Sequence, residues 1–344
     1  MRFSQHKEVA VLVLNWNGRT LLQQFLPSWL AHTPDYADLI IVDNGSTDDS
    51  VSFLQEHYRD VHLLAFEENL GFAGGYNRAI EELDYQTVIL LNSDVELTSG
   101  WLDQPMQLLN SSPEIAAVQP TLRAQRSPKD FEYAGAAGGF IDRLGYPFCR
   151  GRIFDTIEED RGQYADSVDL FWASGACLII RRAVYREVGG LDTLFFAHQE
   201  EIDLCWRLNA RGWRIVSAPQ SIVYHVGGAS LSADSPRKVF LNFRNNLLMI
   251  YKNLPAPTLH RVLFTRMILD LVAMLVYLLR LRPGQAASVL KGWRCFLIKR
   301  QRYESTRQEN LKKTIRPISP ELMKPYSLLF QYYFKGRKRY SNLP

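Results

Sequence analysis

The sequence predicts an α/β protein with a doubly wound, mixed sheet and a basic, helical C-terminal extension. Short continuous apolar runs recur through the first 94 residues with amphipathic segments between them. That is the pattern of parallel strands buried on both faces and joined by crossover helices. Each run ends in side chains able to coordinate or hydrogen-bond. The charge also changes sign: positions 1–236 carry 18 Lys+Arg against 32 Asp+Glu, and positions 237–344 carry 22 against 4. An acidic body and a basic tail imply two different tasks.

Residues 9–14 read as the first strand, 18–30 as a helix and 39–42 as a second strand. A helix over 47–58 is entered through Ser46 or Thr47 as N-cap. A third strand follows at 61–66, a helix at 72–83 and a fourth strand at 88–91. From 100 to 235 the pattern is less regular, with glycine-rich loops (Gly135, Gly138, Gly139, Gly145) ahead of strands at 168–173 and 177–180. Beyond Pro236 a helix is expected over 262–281. With 47% apolar residues in 344, the chain can bury a large core, and the composition divides it into an acidic body, 1–236, and a basic extension, 237–344. The four cysteines are far apart with no CxxC pair, which fits reduced core thiols of the cytosol. No long apolar stretch stands behind a basic start, so no cleaved signal peptide is expected.

In open parallel sheets ligands bind outside the carboxyl ends of the strands. Polar residues collect there: Asn15 and Asn17, Asp43 and Asn44, Asn69, then Asn92 and Asp94. Asp94 directly follows a buried strand, where a carboxylate either caps a turn or holds a divalent cation against a diphosphate. Asp43 is a turn residue or an acceptor for the imide N–H of uracil or thymine. Gly71, Gly74 and Gly75, between Asn69 and Asn77, let backbone N–H groups approach phosphate or sugar at a helix N-terminus. Their spacing is neither GxGxxG nor a P-loop. Glu200, Glu201 and Asp203 are three carboxylates in four residues between apolar flanks. Favourable interaction with a helix dipole would explain them, and so would the raised proton affinity of a general base. His225, after another apolar run, is either structural or a metal ligand.

Together these segments carry a resemblance. Leu14-Asn15-Trp16-Asn17-Gly18, Val42-Asp43-Asn44-Gly45-Ser46-Thr47-Asp48, Asn69-Leu70-Gly71 with Gly74 and Asn77, Leu91-Asn92-Ser93-Asp94, Trp172-Ala173-Ser174-Gly175-Ala176, Gly189-Gly190-Leu191-Asp192 and Glu200-Glu201-Ile202-Asp203-Leu204 occur in the order found in family-2 glycosyltransferases. The chain is most similar to their rhamnosyltransferase-like branch over residues 8–250. The resemblance implies a GT-A, Rossmann-like fold and an inverting, single-displacement reaction that uses Mn²⁺ or Mg²⁺. It implies that Asp43 contacts the base of a UDP- or dTDP-sugar and that Asp94 holds the metal, with His225 completing its shell. Asn92 stands where the family's metal motif has its first Asp. Glu201 takes the place of the catalytic base, with Glu200 and Asp203 as neighbours sharing the role. Trp172 and Gly175 are expected near sugar and acceptor.

The tail calls for a polyanion. Residues 262–281 are long enough to span a bilayer, but Arg266 and Asp270 interrupt them, each costing about 2.5–3.5 kcal/mol at a bilayer centre. A helix lying in the interface avoids that cost. Each basic group near an anionic leaflet contributes about 1 kcal/mol. The expected partners are therefore a nucleotide-sugar, a glycan or lipid-linked acceptor and an anionic membrane surface at the cytoplasmic face. Nucleic acid is not among them, because long apolar stretches interleave the charges. Packing of the tail on the domain or on a second subunit is the plainer alternative, and a homo-oligomer stays open. The competing functional class is a silent scaffold of a polysaccharide-assembly complex.

Overall fold

A computed structural model describes residues 8–227 and 235–344. Strands β1 (Val9–Asn15), β2 (Ala37–Asn44), β3 (His62–Phe66) and β4 (Thr87–Asn92) alternate with helices α1 (Arg19–His32), α2 (Ser50–His57) and α3 (Gly71–Glu82). Short β5 (Val95–Glu96), helix α4 (Asp103–Ser111), β6 (Ile115–Ala124) and β7 (Ser127–Phe131) follow. Four short strands come next: β8 (Gly139–Asp142), β9 (Pro147–Cys149), β10 (Arg152–Ile153) and β11 (Thr156–Ile157). Then come β12 (Cys177–Arg181), α5 (Arg182–Glu187), α6 (Glu200–Ala210) and β13 (Arg214–His225). The C-terminal region adds α7 (Pro236–Asn253), α8 (Ala256–Leu279), α9 (Pro283–Lys299), α10 (Glu304–Lys312) and β14 (Met323–Lys324).

The main sheet has the order β3-β2-β1-β4-β12-β6-β13-β5, with β7 on β6. β1 to β4 are parallel, while β12 runs antiparallel to both β4 and β6. The sheet is therefore mixed, as expected. Successive residues of each strand serve opposite faces. Val9, Val11 and Val13 pack with Leu22, Phe25, Leu26 and Trp29 of α1 and with Phe53 of α2. Ala10 and Leu12 belong to the other core, with Tyr76 of α3, Tyr185 of α5 and Leu204 of α6.

That second core also takes in Leu247, Leu248 and Ile250 of α7, Phe296 of α9 and Leu328. A smaller sheet, β11-β10-β9-β8-β14, is completed by the C-terminal segment, since Met323 pairs with Ile141. The change of composition at residue 236 therefore falls at the start of α7, with Pro236 in its first turn, but does not interrupt the packing.

Two local expectations differ. α2 starts at Ser50, not at Ser46 or Thr47, because those residues form a turn whose N–H groups are taken by Asp43 and Asn17. Residues 168–173 are no strand; they make only isolated bridges, Gly139 to Trp172 and Asp169 to Val216.

Candidate active site

Register brings the polar strand ends to one edge: Asn15 pairs with Asp43, and Leu14 with Asn92. Asn15 Nδ2 donates to Asp43 Oδ2 at 2.9 Å, which fixes the amide orientation because a carboxylate only accepts. Its other end, Oδ1, is buried with no hydrogen-bond partner. A Cβ at position 18 would meet that oxygen at 2.3 Å, so Gly18 keeps the space beside it open. Asp43 is 1% exposed and accepts the Ser46 N–H at 2.9 Å through its second oxygen.

Several neighbours are fully engaged in shaping this edge. Asn17, at φ 49°, accepts the N–H groups of Thr47 and Asp48. Asn69 Oδ1 accepts from Gly71 N and Asn44 Nδ2, fastening the turn into α3. Gly71 has φ 73° and lies under the Phe196 ring. Gly74 and Gly75 let α3 pack closely, on Leu70 and on Leu14 respectively. Asn77 points elsewhere: its oxygen accepts from Tyr185 Oη and Leu191 N, and its Nδ2 donates to Leu191 O. Those bonds tie α3 to the loop before α6.

Asp94 is 7% exposed and lies just beyond β4, in the turn to β5. Its Oδ1 stands 3.0 Å from His225 Nε2. The β13–β5 pairing of His225 with Val95, and the Val226 N–H on Asp94 O, set this approach. On the far side of the ring, His225 Nδ1 is 3.3 Å from Glu132 Oε2. Burial alone would lower the His225 pKa, but the hydrogen bond to Asp94 and the charge of the adjacent Glu132 outweigh it and raise it to about 10. Glu132 was not foreseen. It follows the edge strand β7, which nothing in its local sequence marks as part of a site.

This arrangement fits a divalent cation. A divalent cation entering between Asp94 Oδ1 and His225 Nε2 would displace the proton that joins them, leaving an imidazole that Glu132 holds from behind, as in carboxylate–histidine–metal triads. Among the described residues no group of three or more His, Cys, Asp or Glu is placed to hold a metal ion, so the protein offers at most the Asp94–His225 pair. Substrate oxygens and water would have to supply the remaining ligands, which suits Mg²⁺ or Mn²⁺.

The start of α6 approaches the end of β4 through the 174–176 segment. Asn92 N–H donates to Ala176 O at 3.0 Å, so the strand end touches the segment containing Gly175. A Cβ on Gly175 would reach the Phe72 ring at 3.3 Å and lie 3.8 Å from Glu201 Cβ. Glu201 and the Asn92–Asp94 turn therefore flank one short segment. Glu201 is partly buried, Glu200 is 5% exposed, and Oε2 of each has no hydrogen-bond partner. Burial raises the Glu201 pKa to about 7 even though backbone N–H groups at the helix start oppose it. Burial and the charge of Glu201 raise Glu200 well above its ordinary range.

Asp203 behaves differently. It is fully buried, and its oxygens accept from Lys252 Nζ (2.8 Å), Arg207 Nε (3.1 Å) and Asn253 Nδ2 (2.9 Å). Burial works against its charge, but Lys252 and Arg207 outweigh it and lower the pKa. Its oxygens are committed to holding α6 against α7. Trp172 is also a structural residue: it is 3% exposed, donates Nε1–H to Phe140 O and covers Gly139.

The loop into α6 is strained. Phe196, His198 and Gln199 all have positive φ, 67°, 69° and 73°, a conformation that bulky residues hold only when their surroundings enforce it. Asn245 Nδ2 supplies the constraint, donating to the carbonyls of Phe195, Ala197 and His198. Arg244 Nη2 adds a bond to Phe195 O. A cavity of about 590 Å³ lies elsewhere, lined by Asn209 at the far end of α6 together with Arg150, Arg316 and Tyr340.

A mixed sheet of this order, with carboxylates and amides at its parallel strand ends and an acidic helix facing them, defines a glycosyltransferase of GT-A fold. The chain belongs to glycosyl transferase family 2, whose profile matches residues 10–189, just over half its length. An N-acetylglucosaminyl-diphospho-decaprenol L-rhamnosyltransferase of Mycobacterium tuberculosis is 28% identical over 242 residues, covering 65% of this chain and 78% of the relative. The O-antigen biosynthesis protein RfbC of Myxococcus xanthus is 28% identical over 232 residues, covering 66% of this chain but 18% of that longer protein. In three dimensions the chain is similar to residues 1–349 of Staphylococcus aureus TarS (TM-score 0.56, 13% identity, 90% and 88% of the two chains covered). It is also similar to a Pyrobaculum calidifontis mannosyltransferase solved with GDP-Man and Mn²⁺ (TM-score 0.52, 15% identity, 90% and 86% covered). Both likenesses concern the fold. The GT-A and rhamnosyltransferase-like expectations hold.

Proposed function

We propose that this enzyme carries out metal-dependent, inverting sugar transfer from a UDP- or dTDP-linked donor to a hydroxyl of a lipid-linked or cell-surface glycan. The sugar is rhamnose by analogy with the Mycobacterium relative, and the work is done at the cytoplasmic face of the membrane. The observation that supports it best is Glu201, a carboxylate with pKa raised to about 7 and a free oxygen, across Gly175 from the Asn92–Asp94 turn.

On this reading the unpartnered Asn15 oxygen, with Asp43 behind it, receives the imide N–H of the pyrimidine. Asn17, Asn69, Gly71 and Gly74 shape the crevice along the donor, and Asn92 borders the diphosphate. Asp94 and His225 hold the divalent ion, which supplies positive charge to the departing nucleoside diphosphate. An acceptor hydroxyl beside Gly175 loses its proton to Glu201 Oε2 as its oxygen attacks the anomeric carbon. The bond from that carbon to the diphosphate breaks on the opposite face, so the configuration inverts. Asp203 positions the base through α6.

Incubation with dTDP-rhamnose or UDP-sugars, a lipid diphosphate acceptor and Mn²⁺ is expected to give an elongated lipid with inverted anomeric configuration. EDTA is expected to abolish turnover, and Asp94→Ala to lower kcat on the order of 10²–10³-fold. Full activity in either case removes the metal assignment. Glu132→Gln is expected to weaken metal affinity roughly 10–100-fold and to spare kcat at saturating metal. Failure of calorimetric titration to detect UDP or dTDP binding would favour the scaffold reading.

A further inference from the structure

We propose that the protein docks on an anionic lipid bilayer through the outer face of α8, which lies in the plane of the interface and does not cross it. The proposal rests on the reading of a membrane-borne acceptor and specifies how the enzyme meets it.

The two charges that interrupt the apolar sequence of α8 both turn inward. Arg266 and Asp270 are 2% and 1% exposed and pair with each other at 3.4 Å. Arg266 donates to Leu144 O and Asn246 Oδ1 and lies over the Tyr146 ring. Asp270 Oδ2 accepts Trp293 Nε1–H at 3.0 Å. With these charges removed from the surface, the outer face is apolar from Phe264 to Leu279: Phe264, Ile268, Leu271, Leu275 and Leu279 are 45–75% exposed. Their spacing of three or four residues places them along one stripe.

α8 is long and apolar enough to span a membrane. Crossing would nevertheless carry its packed side, and with it the loop at Leu144 and Gly145, to bilayer depth. The exposed charge of Arg143 beside that loop would go with it, at a cost of about 2.5–3.5 kcal/mol. An in-plane helix needs no such exposure.

The surroundings of the stripe match a lipid surface. Leu281, at the tip of the α8–α9 hairpin, is 88% exposed between Arg280 and Arg282. Tyr333 and Phe334 are 65% and 79% exposed, and Tyr333 is close enough to sense the charge of Arg280. Lys335, Arg337, Lys338 and Arg339 follow directly. Aromatic side chains and cations around an aliphatic stripe suit headgroups over acyl chains. Of the four acidic residues after position 236, Asp270 is withdrawn into the protein. Two-fold pairing of this face with a second copy would set the cationic rims against each other. Lipid is therefore the better occupant.

The face is also rigidly linked to the site. Asn246, which bonds Arg266, donates its Nδ2 to Gln199 Oε1 at 3.2 Å, one residue before α6. Docking through α8 would thus set the height of Glu201 above the lipid surface.

Flotation of the full chain tests this, using vesicles of phosphatidylcholine alone or mixed with phosphatidylglycerol. The chain is expected to float with the anionic vesicles, at least roughly tenfold more tightly than with neutral ones. Leu271→Asp combined with Leu275→Asp is expected to weaken that binding more than roughly tenfold, with unchanged Tm and unchanged hydrolysis of donor in solution. Equal flotation of this variant would overturn the proposal, and so would resistance of the bound chain to alkaline carbonate extraction. A dimer in sedimentation velocity that the double substitution dissolves would assign the face to a second copy. Flotation without donor turnover would keep the docking surface and remove the enzymatic reading; turnover without flotation would do the reverse.

Discussion

Glu201→Gln is expected to lower kcat on the order of 10²–10⁴-fold while making the folded protein more stable above neutral pH. Both effects have one origin. Burial raises the carboxyl from its ordinary 4.5 to about 7. Below about pH 7 the native side chain therefore holds a proton and cannot take one from the acceptor, so kcat should fall tenfold per pH unit on the acid side. In the unfolded chain the same group ionises near 4.5. The folded state binds the extra proton, so ionisation costs stability progressively as pH rises from about 4.5 to 7. The glutamine variant avoids that cost, which amounts to at most about 3 kcal/mol from the size of the shift. Urea unfolding at pH 8 and pH 4.5 checks it: the variant should be the more stable at pH 8 and equal at pH 4.5. A variant that keeps full kcat places the base elsewhere, with Glu200 the first candidate.

Lys252→Met is expected to cost about 3–5 kcal/mol of unfolding free energy, because it strips a buried carboxylate of its nearest cation. Lys252 is 1% exposed and donates to both Asp203 (2.8 Å) and Asp192 (2.6 Å). Asp192 starts the short turn before the strained loop, and Asp203 lies on the helix carrying Glu201. The lysine thus holds both ends of the segment that presents the base. The reading is a lowered urea midpoint at an unchanged slope. Lys252→Met with Asp203→Asn should recover part of the loss, since the amide oxygen still accepts from Arg207 or Asn253 and no carboxylate is left buried without its lysine. Recovery of stability without recovery of kcat would show that the pair positions the base as well as supporting the fold.

The parallel half of the sheet was legible because every residue of β2 and nearly every one of β1 and β4 is buried, which leaves an unbroken apolar run in the sequence. The strand-end polar residues were legible for the same reason, as breaks in those runs. Residue roles were less so. Trp172 read as a sugar-facing aromatic, yet the missing side chain of Gly139 makes the space that buries it. Ser46 read as a helix cap, yet its hydroxyl accepts the Asn17 N–H across two strands. Asp203 looked equivalent to Glu201 because its partner, Lys252, lies 49 residues further on. Glu132 is reached only through the β6–β7 turn, and no spacing rule links it to His225. The Arg244-Asn245-Asn246 triplet carried a further signal: three polar residues in a row, followed by the apolar run Leu247–Ile250, cover both faces of the helix and must find buried partners.

The pairing of β14 with β8 sets a timetable for biosynthesis. Met323 and Ile141 are neighbours in the sheet but 182 residues apart in the chain. At about 5–20 residues per second of synthesis, β8 waits on the order of 10–40 s for its partner. During that interval its outer edge is open to any other extended segment nearby. Protection of the nascent chain by a chaperone would matter most in that window.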